Sequence, residues 1–121
     1  MTAYSELMAF EKTTQALGSV AGRLNWDQET IMPQGAGGQR GEELAAMETV
    51  LHARRTDPKV GDWLAAIDES GLDAVQTANL RHIKKSYARN TKVPADLAAE
   101  IAKVTSMAQG VWADARANDN F

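Results

Sequence analysis

The stretch NWDQETIMPQGAGGQR, residues 25–40, decides the fold because one long helical pattern ends inside it and another follows it. Upstream, apolar and small residues recur at steps of three and four, which predicts a single helix from about residue 3 to residue 31. The stripe consists of Leu7, Phe10, Thr14, Leu17, Ala21, Leu24, Gln28 and Ile31. Pro33 ends this helix, since the residue before a proline disfavours helical angles. Gly35, Gly37 and Gly38 then predict a flexible turn.

The length of the first helix already limits the architecture. At 1.5 Å per residue it is about 43 Å long, whereas a compact sphere of this chain would be only about 35 Å across. Gly18, Ser19 and Gly22, on another side, are small enough for a second helix to approach closely. We therefore expect an elongated bundle, or part of something larger.

The rest of the chain also reads as helices, because no strand-length run alternates apolar and polar residues. A second helix continues to about Arg55, and Asp57 with Pro58 marks the start of a short third one. Asp73 and Gln76 resemble a capping box, and Pro94 opens the last long helix. The predicted apolar face of that helix contains Leu97, Ile101, Val104, Ala108, Val111 and Ala115. The prediction is one all-α domain, residues 1–121, built of four or five helices.

Composition excludes several classes of protein. Thirteen Lys and Arg against 16 Asp and Glu give a net charge of −3, which disfavours nucleic-acid binding. No apolar run is long enough to span a membrane, and Glu6 stands where a signal peptide would be basic. Cysteine is absent, which fits the cytoplasm.

The opening stretch does not read as a catalytic loop. A phosphate loop follows a strand and carries Gly-Lys-Ser/Thr, so a turn between helices explains the glycines better. Asp27 and Glu29 point to different sides of a helix, and Arg23, one turn earlier, is the expected ion-pair partner of Asp27. Trp26 lies off the main stripe, where core packing is favoured over a position in a groove.

No metal or catalytic residue is predicted in this chain. His52 and His82 lie thirty positions apart in basic surroundings, without the His-Glu-x-x-His pattern of a helical zinc site, and both are expected at the surface. A basic cluster on the fourth helix favours a solvated face, with an anion or partner contact as the alternative. It comprises Arg81, Lys84, Lys85 and Arg89.

The last residues, RANDNF, place Asp119 and Asn120 as a helix cap with no helix after it. This pattern predicts that the chain was cut, and a mobile tail is the alternative. A truncated chain should expose apolar side chains that lie off the main stripes and should therefore self-associate. We expect Met8, Trp26, Met107 and Trp112 in that role.

Four segments together resemble the N-terminal region of the carboxypeptidase Taq family of zinc metallocarboxypeptidases. They are ALGSVAGRLNWDQETIMPQGAGGQRGEELA, TDPKVGDWL, ANLRHIKKSYARNTKVPADL and WADARANDNF. The most distinctive pieces are Trp26-Asp27-Gln28 with Met32-Pro33, the run 91–94, and the run 115–119. Gly41 and His82 depart from the residues usual in the family, which are alanine and an acidic residue.

The resemblance implies a fragment of a larger, all-helical, cytoplasmic and typically dimeric enzyme, roughly four times as long, that removes C-terminal amino acids from peptides. Its zinc ligands and catalytic residues would lie beyond residue 121, so the catalytic zinc domain is absent from this chain and the chain is expected to be inactive alone. The N-terminal helices would form a wall or cover of the substrate groove, with Trp26, Asp27 and Arg40 as possible groove-lining residues. The expected partners are the missing catalytic domain, a peptide and a second copy, with no nucleic acid or membrane. A free-standing helical interaction module remains the alternative.

Overall fold

The computed structural model describes all 121 residues, and most of them lie in five α-helices. These are α1 (Ala3–Thr30), α2 (Gly37–Arg55), α3 (Pro58–Ala66), α4 (Ala74–Asn90) and α5 (Ala95–Ala117), with short 3₁₀ turns at Gln34–Ala36 and Glu69–Gly71. No strand is present, so the predicted all-α fold is confirmed. None of the helices combines the length and the apolar character needed to cross a membrane.

The helix starts follow the local signals in the sequence. The Asp57 carboxylate accepts a hydrogen bond from the Lys59 amide at 2.9 Å, and Pro58 is the first helical residue of α3. Asp73 and Gln76 exchange side chain to backbone hydrogen bonds of 3.0 and 2.8 Å, which completes the predicted capping box of α4. Such caps satisfy amide groups that have no partner inside the helix.

The turn between α1 and α2 is shorter than predicted. The Pro33 carbonyl accepts a hydrogen bond from the Ala36 amide at 2.9 Å, which closes one 3₁₀ turn. Gly37 and Gly38 are therefore the first residues of α2 rather than part of a flexible loop. No glycine has a positive φ, so this tight turn does not need the left-handed conformations that glycine allows.

The apolar core lies where the first part of α1 meets α3 and α4. Leu7, Val60 and Leu80 are almost fully buried there. Met8 packs against this cluster, so the expectation that Met8 is an exposed residue is wrong. The Phe10 and Trp63 rings lie 5.5 Å apart at a tilted angle, a favourable aromatic contact.

Helix α5 packs on α2 through small residues instead of through its predicted apolar face. Ala98 and Ser106 are buried, and a Cβ atom at Gly41 of α2 would lie 3.3 Å from Cγ of Met107. The predicted face is exposed, and the exposed fraction of Val111 reaches 71%. The prediction was wrong because periodicity identifies an apolar face, whereas close approach of two helices depends on small side chains.

The chain leaves an unusually large surface open to solvent. Only 10 of the 121 residues are buried, and the accessible surface is 8062 Å². A compact monomer of this mass would expose about 6,400 Å². No neighbouring atom lies within 4 Å of where a Cβ at Gly18 or Gly22 would stand. The expectation that a second helix approaches α1 closely at these glycines is therefore wrong. The elongated shape is thus real, and the helices do not enclose one common core.

The last residues close the C-terminal end of α5. Asp119 adopts a left-handed conformation with φ of 49°. The Asn120 amide donates to the Ala115 carbonyl at 2.8 Å, the pattern of a Schellman motif. The expectation that Asp119 and Asn120 cap a following helix stays a prediction.

Candidate functional site

An ion pair joins the end of α1 to the start of α2. Arg40 Nη2 lies 2.7 Å from Asp27 Oδ2, and the same guanidinium donates to the Leu24 carbonyl. The hydrogen bond to Asp27 is the main cause that raises the pKa of Arg40 above its ordinary value. The prediction that Arg23 pairs with Asp27 is wrong, because the turn at Pro33 brings Arg40 back alongside α1. Two of the three predicted groove-lining residues thus meet.

Trp26, the third predicted residue, points away from the core. Its exposed fraction is 62%, so core packing, the favoured interpretation, is wrong for this chain. An exposed tryptophan is a large apolar surface that also carries an N–H donor. This combination is suited to a contact with a ligand or with another part of a polypeptide.

A polar cleft lies between the end of α1, the start of α2 and the outer part of α5. Its volume is about 710 Å³, and Gln28, Gln34, Gly38, Gln109 and Asp114 are among its lining residues. Most of its polar side chains form hydrogen bonds to a neighbouring element across the cleft rather than within their own helix. The cleft is therefore a preformed open space at the opening stretch of the sequence.

Hydrogen bonds between α1 and α5 fix the walls of this cleft. Gln28 Nε2 donates to the Ser106 carbonyl at 2.7 Å, and Ser106 Oγ donates to Gln28 Oε1 at 3.0 Å. Gln109 donates to Glu29 at 3.2 Å nearer the rim. Sequence reasoning missed this pairing because the partners lie 78 to 80 residues apart and carry no local signal.

An apolar groove on α5 adjoins the cleft and shares Met107 and Val111 with it. Its volume is about 660 Å³, and seven of its eight lining residues are hydrophobic. The Trp112 and Phe121 rings, 5.6 Å apart, form one end of it. Apolar patches of this kind on soluble proteins mark surfaces that bind other molecules.

The histidines take different positions. His82 is exposed as predicted, but His52 is buried, and its Nε2 lies 2.6 Å from the Val93 carbonyl. The surface prediction for His52 failed because its partner is 41 residues away in the loop before α5. A buried polar side chain of this kind requires a hydrogen-bond partner. His52 thus links α2 to that loop.

No cluster of side chains that could hold a metal ion is present, because nowhere do three or more His, Asp or Glu side chains come together. The buried Ser106 hydroxyl donates to Gln28 Oε1. The cleft and the groove are surfaces that can bind and orient another molecule.

Fold and site together define a helical segment with an open polar cleft and an open apolar face. The chain belongs to the carboxypeptidase Taq (M32) family of metallopeptidases, since the family profile matches residues 6–121. It is 35% identical over 123 residues to thermostable carboxypeptidase 1 of Thermus thermophilus. That match covers 98% of this chain, which spans only 24% of the length of the relative.

Proposed function

We propose that this chain is the N-terminal, groove-wall portion of a zinc metallocarboxypeptidase that hydrolyses C-terminal amino acids from peptides. The zinc ligands and the catalytic residues would belong to polypeptide that follows residue 121. We further propose that this enzyme works in the cytoplasm as a homodimer. The observation that best supports this proposal is the open cleft beside the apolar α5 groove, in a chain that spans 24% of the length of a related carboxypeptidase.

In this proposal the residues of the chain shape access and do no chemistry. The Asp27–Arg40 ion pair and the Gln28–Ser106 hydrogen bonds hold three helix segments at fixed positions around the cleft. Walls of this kind exclude water and limit which peptide ends can enter. The apolar groove of α5 is where the rest of the enzyme would pack.

The first experiment is to read the gene downstream of codon 121. An in-frame His-Glu-x-x-His motif on a predicted helix, about 150 residues further on, supports the proposal. A stop codon directly after Phe121 would instead favour the free-standing interaction module, whose partner would then bind the same apolar groove.

A second experiment tests the groove-wall role of Trp26 in the protein that carries the zinc motif. Trp26→Ala is expected to change kcat/KM by more than the loss of folded protein explains. Trp112→Ala removes the same side chain from the α5 groove, and it should reduce the amount of folded enzyme without changing KM. If Trp26→Ala lowers activity only in proportion to folded protein, Trp26 has no role in the groove.

The 121-residue chain alone is expected neither to bind zinc stoichiometrically nor to cleave peptides. Without clustered imidazoles or thiolates there is no tight zinc site. Metal analysis after dialysis against zinc, with an assay on a carboxypeptidase substrate, measures both properties. One tightly bound zinc per chain, or turnover above the blank, contradicts this part of the proposal.

A further inference from the structure

A basic depression lies between α1, α2 and α4 and contains no residue of α5. Its cationic lining residues are Arg55, Lys85 and Arg89, and Gln15, His82 and Ser86 add further polar groups. No carboxylate lines it, and its volume is about 510 Å³. We call this feature the basic depression. Its composition is unexpected in a chain whose net charge is −3.

Helical spacing on α4 explains why these side chains share one face. His82, Lys85 and Arg89 follow one another at steps of three and four, so they line up along the helix. Neither Lys85 nor Arg89 takes part in an ion pair, whereas Lys84 on the neighbouring side is paired with Glu69. Lys85 and Arg89 are therefore uncompensated cations of the depression.

Two carboxylates, Glu11 and Glu48, interact with arginines of α2, including Arg55 of the depression. Glu48 lies 3.5 Å from Arg55. Glu11 lines the adjoining depression, and burial raises its pKa, while the charges of Arg54 and Arg55 oppose that rise. Neither Glu11 nor Glu48 reaches Lys85 or Arg89 as an ion-pair partner. Lys85 and Arg89 are thus the cations of the basic depression that no carboxylate of α1 or α2 pairs with, whereas Arg55 is paired with Glu48.

We propose that the basic depression binds the phosphate group of a small molecule. Arginine forks and lysine ammonium groups form short, charge-assisted hydrogen bonds with phosphate oxygens, and the Ser86 hydroxyl adds a further donor. The space accommodates a phosphate with a small organic substituent. Free phosphate and a phosphate ester share this chemistry. The site shares no residue with the α5 groove.

The test is calorimetric titration of the full chain with inorganic phosphate, inorganic pyrophosphate and glycerol phosphate at low ionic strength. Saturable binding with one site per chain is expected for at least one of them. Tighter binding of glycerol phosphate than of phosphate identifies an ester as the ligand, and the reverse order identifies free phosphate. Absence of saturable binding at millimolar concentrations of all three overturns the proposal.

A pair of matched double variants locates the site. K85Q/R89Q removes two charges from the depression and is expected to weaken binding by more than about tenfold, since each lost charge-assisted hydrogen bond is worth about that much. R81Q/K84Q removes two charges from the same helix outside it, and its affinity should stay within about twofold of the unmodified chain. Equal weakening by both variants would mean that a diffuse field attracts the anion, and the proposal would fail. All four side chains are exposed, so helicity measured by circular dichroism should not change.

Discussion

Gly61 and Gly22 both lie inside helices, but only Gly61 faces a neighbour where a side chain would stand. A Cβ at Gly61 would lie 2.9 Å from the Tyr87 hydroxyl oxygen, and Tyr87 packs on the buried core. Gly61→Ala should therefore lower the free energy of unfolding by about 1 kcal/mol, because overpacking outweighs the gain in helix propensity. Gly22→Ala, in open space, should raise it by about 0.5–1 kcal/mol. Urea unfolding measures both, and stabilisation by both changes would show that Tyr87 moves aside freely.

The carboxyl group of Glu11 predicts a pH-dependent effect on stability. Burial raises its pKa in the folded chain above the ordinary value of 4.5. A carboxyl with a raised folded pKa costs stability above that pKa, whereas the cost vanishes below the unfolded pKa, where both states are protonated. Relative to the unmodified chain, Glu11→Gln should therefore raise the free energy of unfolding more at pH 7 than at pH 3. A difference of the opposite sign, measured by urea unfolding, would mean that Arg54 and Arg55 dominate over burial.

The residues that sequence reasoning misplaced share one property, which is a partner far away in the chain. Spacing of one helical turn predicts Arg23 as the partner of Asp27. The chain reverses at Pro33, however, and Arg40 forms the ion pair with the carboxylate instead. The basic neighbours of His52 predict a position at the surface. No residue near it in the sequence indicates the hydrogen bond to the Val93 carbonyl. The stretch 25–40 supplies lining residues of the cleft such as Gln28 and Gln34, but the contacts that join them to α5 could not be predicted from the sequence.

Among the elements, the helix starts were predictable, while the buried face of α5 was not. Caps such as Asp57 and Asp73 act on amides within three residues, so their signal is complete in the local sequence. The face of a helix that becomes buried depends on what covers it, and α2 covers the small residues around Ala98 and Ser106. The apolar stripe of α5 is consequently left exposed to solvent.

Helix α5 should exchange its amide hydrogens faster than α4. It contacts the rest of the chain mainly through α2, and its residues from Gln109 onward are mostly exposed. Local opening of such an element costs less free energy than opening of the helix that carries the buried Leu80. Hydrogen exchange followed by mass spectrometry should give lower protection for residues 109–117 than for residues 78–87. Equal protection would mean that the whole chain opens as one unit.

The molecule as a whole exposes more surface than a compact monomer of its size and leaves the apolar α5 groove open, so we predict self-association through that groove. Trp112, Met107 and Val111 are all about half exposed or more. A two-fold contact that buries this groove twice is the simplest arrangement. Sedimentation velocity over a hundredfold range of concentration should show a shift from monomer to dimer.

A matched pair of substitutions identifies the surface responsible. Val111→Glu places a charge in the α5 groove and should move the equilibrium to monomer. Val75→Glu places the same charge on α4, where the exposed fraction of the valine is 69% against 71% for Val111, and should leave the dimer intact. A chain that is monomeric at every concentration would contradict this prediction. It would indicate that the apolar face of α5 is stable in contact with solvent.

The 28 residues of α1 connect the apolar core to the polar cleft. Leu7 is held in the apolar core at one end, whereas Gln28 lines the polar cleft at the other. The distance along the axis from Leu7 to Thr30 is about 35 Å, so a tilt of about 5° at the core displaces the far end by about 3 Å. Small changes in packing around Leu7 would therefore strain the Gln28–Ser106 hydrogen bonds, which join α1 to α5 more than twenty residues away.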